Sequence, residues 1–148
     1  MPKVFIFKPK WYMGKHIEPA IEKLLIGKSL NMPCGKSSFG SVRADIFEEM
    51  KPDEIADILN PQKTFKNLSF DSVFCDPPFN FYTSNKIGLR WIYKMAALAR
   101  KRIIFKTPKF QIKLKRSLWK KHYVIIEDHR MSFSFLQIFD RVNKTLEF

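Results

Sequence analysis

The sequence predicts an α/β domain built on a mainly parallel sheet. Three observations lead there. Short, β-favouring apolar runs recur along the chain. Amphipathic helical stretches stand between the earlier ones. The last two runs, residues 123–126 and 135–139, are separated by a connection short enough for a hairpin, so the final strand is expected to run antiparallel. At 148 residues one domain is expected.

The elements follow in order. Residues 4–7, Val-Phe-Ile-Phe, read either as a short strand or as an apolar cover. Ile17, Ala20, Ile21, Leu24 and Leu25 recur at helical spacing, with Glu18, Glu22 and Lys23 off that face. Pro19 is expected in that helix's first turn, and Gly27 is placed as its stop. Residues 28–32 predict a strand running into the small-residue turn 33–40, where Ser37 and Ser38 are candidate caps for a short helix. Residues 42–45 predict a strand ending in Asp45, and 54–58 a strand or edge segment ending near Asp57. A polar connection, 60–68, precedes the apolar strand 73–75. Residues 80–84 read as a loop, and 86–100 as a helix with Ile87, Trp91, Met95 and Leu98 on one face. Residues 102–106 predict the next strand, closed by Thr107-Pro108.

Charge is the informative total. Lys and Arg number 27 against 14 Asp and Glu, a formal +13. Such a field favours a polyanionic partner, with nucleic acid foremost; plain solubility is the other reading. Nine of these cations lie within 101–121, where there is no acid. With Phe105, Phe110 and Trp119 interleaved, Lys109, Lys113, Lys115 and Arg116 become candidate phosphate contacts and the aromatics candidate base-stacking faces. One solvated helix face is the alternative. No apolar run approaches membrane-spanning length, and the apolar stretch near the N-terminus is too short for a secretion signal, so none is expected. Cys34 and Cys75 make no Cys-x-x-Cys pair, which argues against a zinc site or disulfide scaffold and fits a reducing cytoplasm. His16, His122 and His129 are scattered, so no metal site is expected.

Asp76-Pro77-Pro78-Phe79 cannot continue the strand before it, because two prolines remove two donors and fix φ. A carboxylate, two stiff residues with free carbonyls and an aromatic ring are thereby set at a strand end, the edge where open α/β sheets bind ligands. An ordinary turn is the bland reading. The motif also resembles one that acts on an exocyclic amino group of a base, a poor nucleophile because its lone pair is delocalised. Asp76 and the Pro77 carbonyl can accept its two protons, and Phe79 offers a stacking face. Gly35-Lys36-Ser37 is half of a phosphate-binding P-loop, but the glycine required at position 30 is Leu30.

Asp-Pro-Pro-Phe resembles the catalytic motif of the S-adenosylmethionine-dependent amino-methyltransferases, Asp/Asn/Ser-Pro-Pro-Tyr/Phe/Trp. Leu30-Asn31-Met32-Pro33-Cys34-Gly35 resembles that family's Leu-Asp-Pro-Phe-Cys-Gly, and Lys10-Trp11-Tyr12-Met13-Gly14-Lys15 its Lys-Trp-x-x-Gly-Lys. The resemblance spans residues 10–79. It implies a Rossmann-like class I methyltransferase fold, with a mixed seven-stranded sheet and helices on both faces. It implies S-adenosylmethionine as cofactor, held by Trp11, Lys15, Asn31, Pro33, Gly35, Asp45 and Asp57. It further implies methylation of an exocyclic base amine by Asp76, Pro77, Pro78 and Phe79, with adenine in DNA preferred over RNA. No segment is long enough for the family's usual target-recognition region, so sequence specificity is expected to be low, or to come from the basic 109–121 loop, from a homodimer or from a partner chain. A non-catalytic nucleic-acid-binding protein on the same fold, and an NTPase built on Gly35-Lys36-Ser37, stand as the other classes.

Overall fold

The computed structural model describes residues 6–7, 13–108, 110–128 and 132–142. Eight strands form one sheet: β1 (Ile6–Phe7), β2 (Ser29–Asn31), β3 (Val42–Asp45), β4 (Glu54–Ile55), β5 (Phe70–Cys75), β6 (Ala99–Thr107), β7 (Trp119–Asp128) and β8 (Ser132–Arg141). Their spatial order is β1-β7-β8-β6-β5-β2-β3-β4. The expected seven strands are all there, and the two-residue β1 extends the sheet at one edge, parallel to β7. The pairs from β4 across to β6 are parallel, and β8 is antiparallel to both β6 and β7. This is the mixed sheet the hairpin reading anticipated.

Side-chain alternation along the central strands separates two cores. Val73, Cys75, Ile103 and Phe105 face one side with Trp91, Ile92 and Met95 of helix α3 (Arg90–Ala96). Phe74 and Ile104 face the other, with Ile21 of helix α1 (Met13–Leu24), Leu136 and Ile138. Helices therefore cover both faces, as expected. Among the described residues, no helix is long and apolar enough to cross a membrane.

Several local expectations are corrected. Helix α1 begins at Met13, which puts Pro19 inside it rather than in its first turn. Its missing N–H therefore removes one helical hydrogen bond. No helix follows Ser37 and Ser38; the chain turns and enters β3 directly, so the P-loop reading fails for want of a helix N-terminus. Residues 80–83 form a single turn, α2 (Asn80–Thr83), where a loop was read. Helix α3 covers only the middle of 86–100. Gly88, at φ +70°, ends the preceding turn, and β6 already starts at Ala99. Ile87, Trp91, Met95 and Leu98 still face the core. Residues 110–118 form no helix, so the solvated-helix reading of the basic stretch falls.

Candidate active site

Parallel pairing brings the C-terminal ends of β2, β3, β4, β5 and β6 to one edge. There the chain leaves a cavity of about 1100 Å³. Its lining includes Asn31, Pro33 and Gly35 after β2, Asp45 at the end of β3, Asp57 after β4, and Asp76, Pro77, Pro78 and Phe79 after β5. Nine sequence-predicted site residues thus converge on one space from four separate strand ends. Trp11 and Lys109 lie outside the described residues, as does the side chain of Lys15.

The β2 loop is built by side chains instead of a helix. Asn31, fully buried, donates its amide to Ser37 Oγ at 2.7 Å and to the Phe39 carbonyl at 3.2 Å. Ser37 Oγ in turn donates to the Cys34 carbonyl, which fixes which way the Asn31 amide faces. Asn31 Oδ1 is then buried with no hydrogen-bond partner among the described residues. Gly40, at φ +102°, lets the loop pass over Asn31; a Cβ there would stand 3.1 Å from the Asn31 Cβ.

Asp45 is buried, and both its oxygens are engaged. Gly35 N–H donates to Oδ2 at 2.9 Å and Phe47 N–H to Oδ1 at 3.0 Å. The acid therefore clamps the loop as well as facing the cavity. Asp57 accepts the Leu59 N–H at 2.9 Å, an Asx turn that shapes the rim. Arg43, which the sequence did not single out, ties the whole corner. Its Nε donates to the Ser37 carbonyl at 2.7 Å, while Nη1 and Nη2 reach the carbonyls of Lys51, Gly35 and Met50.

After β5 the prolines divide their tasks. Pro77 is buried and Pro78 exposed. The carbonyls of Pro78 and Phe79 accept from Phe81 and Tyr82 in the first turn of α2. No backbone N–H among the described residues donates to the Pro77 carbonyl. The Phe79 ring is 53 % exposed at the cavity rim. Phe81 lines the cavity, whereas Tyr82 is buried in the core and donates its hydroxyl to the Lys106 carbonyl at 3.0 Å. Burial pushes the Tyr82 hydroxyl far up, so it stays a neutral donor.

The sequence reading missed Lys106. Ile104 pairs with Phe74 and Phe105 with Cys75, so the register carries Lys106 to the side of Asp76. Its side chain is 3 % exposed, and Nζ lies 3.4 Å from Asp76 Oδ2. Strand parity could have given its face, though not its neighbour. Glu18 and Ile21 of α1 also line the cavity and were not anticipated there.

The basic loop starts at this edge and runs to the opposite end of the sheet. Near the site, buried Gln137 accepts the Ile112 N–H at 3.0 Å and donates to Thr107 Oγ1 and the Phe110 carbonyl. At the far end Trp119 pairs with Arg141, which donates to the Ala99 carbonyl at the start of β6. Ile112 and Leu114 point in, and Lys113, Lys115 and Arg116 are exposed. The interleaved aromatics do not stack bases: Phe105 is fully buried, Phe110 packs on Tyr82, and Trp119 is buried under the Arg141 guanidinium, 4.4 Å from its ring.

No family model and no curated protein matches the sequence. Solved structures do resemble it. An rRNA methylase from Streptococcus thermophilus superposes with a TM-score of 0.61 at 9 % identity, over 91 % of this chain and 100 % of that one. A candidate methyltransferase from Streptococcus mutans, solved in complex with SAH (S-adenosylhomocysteine), gives 0.58 at 10 %, over 90 % and 100 %. A candidate methylase from Haemophilus influenzae gives 0.51 at 12 %, over 89 % of each chain. At such identities the likeness is one of fold, and it agrees with the strand order described above: the chain has the Rossmann-like fold of class I methyltransferases.

Proposed function

We propose that the protein is an S-adenosylmethionine-dependent methyltransferase acting on an exocyclic amino group of a nucleic-acid base. The observation that carries the reading is the convergence of Asn31, Asp45, Asp57 and Asp76-Pro77-Pro78-Phe79 on one cavity at the strand ends. The cofactor fits the residues present. Asn31 Oδ1 is a buried acceptor in need of a donor, which the ammonium of a methionine moiety provides. Asn31, Pro33 and Gly35 would hold that moiety, Asp45 the ribose, and Asp57 the adenine side. Trp11 and Lys15 are assigned to the same group from their motif. The resemblance to a fold solved with SAH supports this choice.

When bound, the cofactor supplies an electrophilic sulfonium methyl. The chain's own residues do the rest. Asp76 and the Pro77 carbonyl accept the two amino protons, which favours a pyramidal nitrogen with its lone pair free. Phe79, exposed at the rim, stacks the flipped base. Gain in rate comes from positioning and electrostatics, without a covalent enzyme intermediate. Lys113, Lys115 and Arg116, exposed on the loop, and Lys109 by its place in sequence, are the proposed phosphate contacts.

Adenine in DNA is the substrate proposed first, on the motif resemblance. RNA is the second reading, favoured by the rRNA methylase among the structures with this fold. Titration calorimetry with S-adenosylmethionine, and separately with ATP, is the deciding experiment. Binding of the first and not the second is expected; failure to bind S-adenosylmethionine leaves only a nucleic-acid-binding module. Labelled methyl transfer to single-stranded DNA and RNA then separates the two substrates.

A further inference from the structure

Lys106 presents a puzzle that the proposed chemistry does not resolve. A lysine at the end of a central strand is almost wholly buried, at 3 % exposure, yet it is among the residues that line the site cavity. Taking an ammonium out of water is costly unless its protons are used. It carries three donors. Its one hydrogen bond among the described residues is to Asp76 Oδ2, at 3.4 Å. The site therefore displays, side by side on one wall, a carboxylate acceptor and a cationic donor with protons to spare.

An exocyclic amino group on adenine or cytosine is never alone. It is one end of an amidine edge, with a ring nitrogen acceptor next to it. An acceptor and a donor set side by side are the complement of that edge. Resting on the proposed function, we infer that Lys106 reads the ring nitrogen beside the target amine: Asp76 accepts an amino proton while Lys106 Nζ donates to N1 of the flipped adenine (N3 in cytosine). The substrate class is then an amine flanked by an acceptor on its Watson–Crick edge. Lys106 serves as a substrate contact and not only as the counter-ion of Asp76. A charged donor left facing an unpaired carbon loses its hydrogen bond in a dry site, and rejection of such an analogue follows.

The test is a cycle between protein and base. Wild type and Lys106→Met are given S-adenosylmethionine and single-stranded oligonucleotides holding one adenine, one 1-deazaadenine or one 7-deazaadenine, and kcat/KM is measured for each. Wild type is expected to lose about 10- to 100-fold on 1-deazaadenine, as for a hydrogen bond to a charged group, and little on 7-deazaadenine. Lys106→Met is expected to be slow on adenine and to show a ratio between adenine and 1-deazaadenine near unity. Equal wild-type rates on the two bases overturn the inference. So does a ratio that survives in Lys106→Met, or a loss confined to 7-deazaadenine. Equal slowing of all three bases in the variant, with no wild-type discrimination, reduces Lys106 to a holder of Asp76 and also overturns it. Thermal melting and SAH affinity check that the variant is folded; if it is not, the three bases on wild type alone decide. No transfer by cofactor-bound wild type to adenine or cytosine in any oligonucleotide overturns amino-methylation itself, a result distinct from the loss of discrimination.

Discussion

The two halves of the sheet are built differently. From β6 to β8 the strands run nine or ten residues, and their ladders are long and regular. From β2 to β4 they run two to four residues, and no α-helix links them. In the long half, backbone pairing does the holding. In the short half, polar side chains do it: buried Asn31 and Asp45 and half-buried Arg43 are each tied to the backbone of a loop. The cavity lies mainly on the short half. Loops fixed by side chains leave backbone groups and carboxylates facing inward, which a helix would consume in its own hydrogen bonds. A small domain thus trades regular structure for a binding edge.

The largest expected effect breaks function and leaves both halves standing. Asp76→Ala should slow methyl transfer by about 100- to 1000-fold, the size seen when one group aimed at the reacting centre is removed, while cofactor affinity is kept. Undiminished transfer would refute the role of Asp76. The next sharpens the division of labour. If the long half carries nucleic acid along the loop that starts at Thr107, reversing Lys113, Lys115 and Arg116 to Glu should weaken DNA binding and shallow the salt slope by about three contacts, each worth roughly 0.9 in slope. An unchanged slope places the nucleic acid elsewhere.

Two arginines allow a direct comparison of the halves. Arg43 binds four carbonyls in the short half. In the long half, Arg102 grips Asp140 through two hydrogen bonds, at 2.6 and 3.0 Å, and reaches the Leu24 carbonyl at 2.8 Å. Replacing either by Met should cost about 2 kcal/mol, read as a lowered urea midpoint, because each leaves hydrogen-bond partners behind. Only Arg43→Met should also weaken S-adenosylmethionine binding. Equal cofactor affinity in the two variants would mean that the short half does not own the site.

What was legible in the sequence follows the same division. Val42–Asp45 was read to the residue, and Asp76-Pro77-Pro78-Phe79 was placed at a strand end, because a proline pair and a strand-terminal acid are local signals. The strand hairpin was legible from two apolar runs. The clamp of Arg43 was not, since nothing in Val42-Arg43-Ala44 says that a guanidinium folds back over four carbonyls. Gln137 was hidden in the same way: a polar residue in an apolar strand shows its partners only once the loop is laid over it. Phe105 and Trp119 misled because an aromatic among lysines looks like a base platform when its burial is unknown. Lys106 was counted with the basic stretch: parity in β6 gives its face, but only the register with β5 sets it beside Asp76.

The smallest effect lies on the seam between the halves. Asp71, on β5, accepts the Lys28 N–H just before β2 at 2.9 Å and pairs with Arg100 on β6 at 3.0 Å. The Lys28 N–H holds its carboxyl below the ordinary 3.8, burial opposes that, and the Arg100 guanidinium adds to the lowering. A carboxyl depressed in the folded state contributes stability above its unfolded pKa, and that contribution is lost as pH falls through the folded value. The loss therefore belongs to strongly acid pH, from 3.8 downward. Asp71→Asn should be less stable than wild type at neutral pH, and the gap should close as urea midpoints are followed down to about pH 2.5. Because Arg100 is exposed, added salt should narrow the gap at neutral pH as well, leaving the part due to the Lys28 N–H. Gly27 offers the matching steric probe, for a Cβ there would stand 2.4 Å from Asp71 Oδ2 at φ +54°. Gly27→Ala should thus destabilise both the wild type and the Asp71→Asn variant, since the strain at positive φ and the clash both outlive the charge. If it costs nothing in either background, the tight, left-handed turn at Gly27 is not part of the seam.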